Sequence, residues 1–300
     1  MSGSQAGVHT QTRFEFGKNW RSFIELVDEA RISSAQDSLR QALQVPTLSG
    51  RTFLDVGCGS GLFSLAACRL GARVRSFDYD PESVLATTEL RHRFAAGSEW
   101  VIEQGSILDP QFLAGLGRFD IVYSWGVLHH TGQLWRALDA TARLVAPGGG
   151  LLYVSIYNDQ GLMSRVWRRV KRRYNTSGTV MRGILVAGSV AYLGRYRPLE
   201  ALRRAVRGSA GAAASPPRAR GMSHRHDLID WVGGYPFEVA RPGEVFAFAH
   251  RLGFELRYLK TVGGGLACNE YVFLAPSSAA LRPGTAPAAL THWPSAGQGR

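Results

Sequence analysis

Cysteine is scarce in this 300-residue chain: Cys58, Cys68 and Cys268 are the only ones, with no CxxC pair. A disulfide scaffold, a zinc finger and an iron–sulfur site are therefore excluded, and a reducing compartment is expected. No secretory signal is expected, because the first twenty residues include Arg13, Glu15 and Lys18 and hold no apolar stretch of seven or more. The expected location is the cytoplasm. Long apolar runs are absent too. The best candidate, from Gly183 to Gly194, is about twelve residues where a bilayer needs roughly twenty, so no stable membrane insertion is expected and the run reads as a buried or lid helix. Acids are few, 23 against 35 bases, a formal net charge of +12. The excess is local, since residues 161–220 carry fourteen bases and one acid, Glu200. An evenly basic protein would suggest nucleic acid. A near-neutral body with one basic segment suggests a docking surface or a solvated face, and no nucleic-acid partner is expected.

Enough apolar material is present to bury a core, with 45% hydrophobic and 10% aromatic residues, and the length suits one large core with an appendage. Residues 1–12 and 276–300 are small, polar or rich in Pro, Ala, Gly and Ser, and are expected to be disordered tails. Strand-like runs occupy 52–56, 73–77, 100–103, 119–123, 151–156, 254–262 and 269–274, with helical stretches between the first five. That alternation predicts a parallel α/β sheet. The last two runs are too close for a crossover helix and predict an antiparallel hairpin at the sheet edge. Asp80-Pro81 and Asp109-Pro110 each pair an N-cap acid with a proline at the first helical position, and Gly71 closes a helix over 62–70. The stretch 158–245 interrupts the rhythm with a helical cap between the two sheet-forming segments, 13–157 and 246–275. Within it, Val166, Val170 and Tyr174 mark the apolar stripe of a basic helix over 164–174, placed on the outer face of the cap, and 208–220 reads as a mobile loop.

The strongest signal is the run Asp55-Val-Gly57-Cys-Gly59-Ser-Gly61, an apolar strand passing through glycines into a helix. Gly57 and Gly59 permit a tight turn and close approach of a ligand to bare backbone, and Gly61 permits close packing at the helix start. The spacing is GxGxG, with Leu62 where a dinucleotide fingerprint needs Gly or Ala, and Asp55 would repel a pyrophosphate while attracting a cationic ligand. Asp78 ends the second strand and can accept both hydroxyls of a ribose, and the Tyr79 ring can lie against adenine. Ser106 and Ile107 follow the third strand and Ser124 and Trp125 close the fourth, all at the carboxyl ends where an open α/β sheet binds its ligand.

Taken in order, these motifs resemble those of class I S-adenosylmethionine-dependent methyltransferases, over roughly 50–157 and 250–275. The pattern Phe119-Asp120 to His129-His130 and Leu144-Val145 to Gly149 is similar to the fourth and fifth motifs of that superfamily, and the small-molecule branch typified by ubiquinone-biosynthesis O-methyltransferases is the most similar part. The resemblance implies a Rossmann-like seven-stranded sheet with the last strand antiparallel, S-adenosyl-L-methionine as cofactor held by Asp55, Gly57, Gly59, Gly61, Asp78, Tyr79, Ser106, Ile107, Ser124 and Trp125, and a small-molecule acceptor. It does not cover 158–245, where the acceptor would bind.

Methyl transfer needs an acceptor atom held in line in a dry pocket and, for an acidic acceptor, a route for its proton. His129 and His130 follow the fourth strand on the cofactor face, and His226, Asp227 and Tyr157 are the further candidates. His226 and Asp230, four apart, share a helix face and could join a metal site with the histidine pair, though a capped cap helix is the favoured reading and no metal is expected. Asn158, Asn269 and Glu270 read as substrate contacts or satisfied edge residues. Phe14, Phe16, Trp20 and Phe23 read as a helix that closes over the cofactor or simply packs.

Overall fold

The computed structural model describes residues 14, 16–194, 231–263 and 267–277. The tails 1–12 and 276–300 beyond Ser277, the loop 208–220, and His226, Asp227 and Asp230 lie outside these residues.

Seven strands form one sheet in the order β3-β2-β1-β4-β5-β7-β6: β1 (Thr52–Val56), β2 (Arg73–Asp78), β3 (Trp100–Gln104), β4 (Ile121–Trp125), β5 (Leu151–Tyr157), β6 (Glu255–Lys260) and β7 (Cys268–Leu274). The first five pair in parallel, while β7 runs antiparallel to both β5 and β6. The expected hairpin is present, with β6 as the edge and β7 inside it. The central strands are almost entirely buried, as strands covered on both faces must be. The fourth starts two residues later than its apolar run, because Phe119 makes only an isolated bridge to Val145.

Helices α1 (Phe16–Ile24), α2 (Glu29–Leu43), α3 (Leu62–Arg69), α4 (Pro81–Phe94), α5 (Pro110–Ala114) and α6 (Leu134–Arg143) surround the sheet. Their ends follow local chemistry. Asp80 accepts from the Glu82 N–H to cap α4, Asp109 from the Gln111 N–H to cap α5, and Gly71, at φ +95°, donates to the Cys68 carbonyl behind α3. Tertiary contacts carry α1 onto α4: the Gly17 N–H donates to Asp80 Oδ2 at 2.8 Å and Arg21 pairs with Glu82 at 2.8 Å. Phe23 is buried in the core beneath.

Asp120 clasps β1 to the start of β4, accepting at Oδ2 from the Thr52 N–H and hydroxyl, both at 2.8 Å. Partial burial works to raise this carboxyl's pKa, but the Thr52 bonds with Arg51 and Arg73 outweigh it and hold the group below its ordinary 3.8. A folded pKa below the unfolded one contributes stability above the unfolded value, and this is lost as pH falls through the folded one. Asp120→Ala should therefore lower Tm near neutral pH, with the difference from native protein shrinking below 3.8. A Tm gap that persists undiminished into that range rejects the ionic account.

The cap departs from two expectations. Helix α7 (Leu162–Asn175) forms where the basic pattern predicts it and presents its arginines outward, but the buried face is Ser164, Trp167 and Lys171, not Val166, Val170 and Tyr174. Trp167, the largest apolar side chain of the helix, turns its own face inward to meet Trp231, with ring centroids 5.4 Å apart, and Lys171 lies four residues on along that face. Helix α8 (Thr179–Gly194) contains the apolar run read as buried or lid-like, yet Val180 is 80% and Ile184 58% exposed. It packs beside α7 and buries Ser189 rather than its branched residues. No helix among the described residues is long and apolar enough to cross a membrane. The chain returns to the sheet through a bridge between Asn158 and Ala240 and helix α9 (Pro242–Arg251), whose Val245, Phe248 and Ala249 enter the core.

Candidate cofactor and acceptor site

At the carboxyl end of β1 the chain turns through three glycines in the left-handed region: Gly57 at φ +78°, Gly59 at +57° and Gly61 at +78°. Space as well as backbone geometry requires glycine at the first, since an added Cβ would meet the Val127 methyls at 2.4 and 2.6 Å. At Gly59 the close neighbour is the Trp20 indole, 3.0 Å from such a Cβ, so α1 does lie over the loop. The Gly57 and Cys58 N–H groups donate to the Phe77 carbonyl, which ties the turn to β2.

Asp55 is buried and accepts from the Ser64 hydroxyl at 2.6 Å, fastening the strand end to α3. Asp78 accepts from the Gly59 N–H at 3.0 Å through Oδ2 and from the Asp80 N–H at 2.9 Å through Oδ1. One carboxylate at the end of β2 thus shapes both the glycine loop and the turn into α4. Tyr79 is 59% exposed beside it. Ser106 accepts from the Leu108 N–H, Ile107 is buried in the core, Ser124 is buried and donates to the Val56 carbonyl, and Trp125 packs against the core from β4. Ser124 and Ile107 are thus both buried. A carboxylate at a strand end, a turn of bare glycine backbone and an exposed ring alongside fit a nucleoside with a cationic substituent. Among the described residues no group of three His, Cys, Asp or Glu could hold a metal ion.

Val127, which packs over Gly57, leads directly into a 3-10 turn, Leu128–His130, so the two histidines flank the glycine loop. Both are buried. His129 Nδ1 receives the Tyr157 N–H in a long bond of 3.4 Å, and His129 Nε2 has no partner among the described residues. His130 Nδ1 lies 2.7 Å from the Pro236 carbonyl. The partners fix which nitrogens carry protons: facing an N–H, His129 Nδ1 must accept, so the proton of that ring sits on Nε2, whereas a carbonyl can only accept, so His130 donates from Nδ1. Burial, then His130, then Lys171 keep His129 neutral by pulling its pKa well below the usual 6.5.

Around the pair the cap supplies rings. Tyr157 lies 4.0 Å from His129, 5.4 Å from Trp231 and 5.2 Å from Phe237 between centroids, and Phe16 of α1 lies 4.9 Å from His130. Lys171, wholly buried, donates to the Trp231 carbonyl and faces the rings of Trp231, Phe237 and Tyr157. Glu238 caps α6 by accepting from the Leu134 N–H, and burial raises its pKa. Asn158 and Asn269 bond to each other at 3.1 Å, and Glu270 accepts from the Tyr153 hydroxyl at 2.6 Å, so these three are satisfied within the sheet. Lys171 gives little signal in the sequence: a helix so rich in arginine reads as a solvated face, and only its spacing of four from Trp167 points it inward.

Residues 54–151 match the family described as "Methyltransferase domain". The ubiquinone biosynthesis O-methyltransferase of Paracidovorax citrulli is 30% identical over 158 residues, which cover 52% of this chain and 66% of that protein. The ribosomal protein L11 methyltransferase of Xanthomonas oryzae pv. oryzae is 45% identical over 117 residues, covering 38% and 34%. The chain thus spans between 34% and 66% of the length of these relatives. Among solved structures, an O-methyltransferase family protein from Burkholderia thailandensis superposes with a TM-score of 0.52 at 14% identity, over 86% of this chain and 60% of that one, a likeness of fold.

Proposed function

We propose that this chain is a class I S-adenosylmethionine-dependent methyltransferase that moves the methyl group of S-adenosylmethionine to an aromatic or otherwise acidic small molecule seated against His129, His130 and Tyr157. The observation that carries this reading is the continuity of loop and turn: Val127 walls the glycine cradle, and the histidines two and three residues later open onto the aromatic cap.

The cofactor supplies an electrophilic methyl on a sulfonium; the residues of this chain bind, orient and exclude water. In this reading the bare backbone of Gly57 and Gly59 admits the ligand closely, Asp78 receives the ribose hydroxyls and Tyr79 offers a ring to the base. His130, its ring held by the Pro236 carbonyl, takes the proton of the acceptor's O–H, N–H or acidic C–H at Nε2 as that atom bonds to the methyl and the C–S bond breaks. His129 donates from Nε2 to the developing anion, and the walls of Tyr157, Trp231 and Phe237 exclude water. An O-methyl product is the leading outcome, with a C- or N-methylated natural-product intermediate as the alternative.

Calorimetry with S-adenosylhomocysteine tests the cofactor half, with one-to-one binding expected, and no binding at millimolar ligand rejects the reading. Transfer of labelled methyl to a panel of phenolic and enolic acceptors tests the rest. A tight, steeply salt-dependent complex with RNA or DNA would move the assignment to a nucleic-acid methyltransferase.

A further inference from the structure

Methyl transfer gives no task to the outer side of α7 and α8. The two helices form an antiparallel hairpin. At one end the Tyr192 hydroxyl donates to Met163 Sδ at 3.9 Å and its ring lies 5.8 Å from that of Trp167; at the other the Arg182 guanidinium lies over the Tyr174 ring and donates to the carbonyl of the same residue at 3.1 Å. Because Ser164, Trp167 and Lys171 turn α7 inward, a repeat of about 3.6 residues brings Leu162, Arg169 and Arg173 to the opposite side with Val166 beside them. All four are exposed, Leu162 by 64%. On α8 the inward residue is Ser189, and the opposite row, Val180, Ile184, Ala187 and Ala191, is apolar and exposed throughout. No acid occurs from Gly161 to Gly194, against six exposed arginines.

We propose that this hairpin is a peripheral docking surface for an anionic lipid bilayer, on which it lies without crossing. Branched side chains left in water at helical spacing mark an interaction surface, and charge selects its occupant. Val180, Ile184 and Leu162 suit the boundary between headgroups and acyl chains, while the arginines keep their stems on apolar surface and their guanidinium groups on lipid phosphates. Nucleic acid would use the arginines but gain nothing from the apolar row of α8. A second copy would use that row but bring two acid-free, arginine-rich hairpins together. At 16 residues α8 is too short to span a bilayer, which needs about twenty, and long enough to lie on one. The inference goes beyond the methyltransferase reading and stands without it.

The full chain is sedimented with vesicles of phosphatidylcholine alone and of an equal mixture of phosphatidylcholine and phosphatidylglycerol. The mixed vesicles should bind it about tenfold or more tightly, and less so as salt rises. At roughly fivefold per arginine, Arg165→Gln, Arg169→Gln and Arg173→Gln together should weaken that binding on the order of a hundredfold, and Val180→Ser with Ile184→Ser should weaken it about fivefold or more. Arg118→Gln, Arg143→Gln and Arg257→Gln together remove the same charge from exposed positions elsewhere and should stay within about threefold of the native protein. No preference for the mixed vesicles, equal loss in the two arginine triples, or binding that survives both hairpin variants overturns the proposal. So does a lipid-free dimer that Val180→Ser with Ile184→Ser dissolves, which gives the face to a second copy, or a salt-sensitive RNA complex lost only in the hairpin arginine triple, which gives it to nucleic acid. Far-UV circular dichroism shows that each variant folds, and the comparison of the two vesicle compositions needs no variant.

Discussion

His130→Ala is expected to lower turnover of the methylated acceptor by about 10²- to 10⁴-fold, the usual contribution of a positioned general base, with S-adenosylhomocysteine affinity nearly unchanged. Two bonds separate the roles of the adjacent histidines. The Pro236 carbonyl, 2.7 Å from His130 Nδ1, receives the proton of that nitrogen, whereas the Tyr157 N–H on His129 Nδ1 puts the proton of that ring on Nε2. In the proposed roles His130 takes the acceptor's proton and His129 only gives a hydrogen bond. His129→Ala should weaken catalysis through lost anion stabilisation, by less than His130→Ala. If His130→Ala retains near-native turnover, the base lies elsewhere, or positioning and desolvation alone suffice.

Asp78→Ala is expected to weaken cofactor binding by at least tenfold, since the loss of a charge-assisted contact of this kind costs about 1.5–3 kcal/mol. The effect has two sources. The variant removes the acceptor assigned to the ribose hydroxyls, and it releases the Gly59 and Asp80 N–H groups, bonded at 3.0 and 2.9 Å, that hold the loop in shape. Asp78→Asn separates them: its amide retains one acceptor oxygen and should fall between native and Asp78→Ala. Calorimetry decides the matter, with far-UV circular dichroism to show that the fold persists. Unchanged affinity in Asp78→Ala would remove this carboxylate from the site.

Several features of the molecule are determined within a few residues of chain, and these were legible in the sequence. The Asp-Pro helix starts, the glycine closing α3, the GxGxG turn and the strand periodicity each depend on local backbone and side-chain geometry, and the structure bears them out. The nearness of Asp78 to the glycines follows from the same order of elements, since consecutive parallel strands place their carboxyl ends together.

Tertiary structure alone decided what depends on a distant partner. The tautomer of His130 is set by a carbonyl from Pro236, more than a hundred residues away, and no spacing in the sequence brings the two together. The buried face of α7 turned on Trp231 and Phe237, which reward Trp167 and Lys171 over a valine stripe of equal period. Helix α8 has the composition of a buried helix and yet shows its branched residues to solvent, because composition states what a helix could bury and not what stands beside it. Periodicity reports a helix's own geometry; which of its faces meets another surface, and which polar atom is left to meet a ligand, is settled only when the chain has brought those surfaces together.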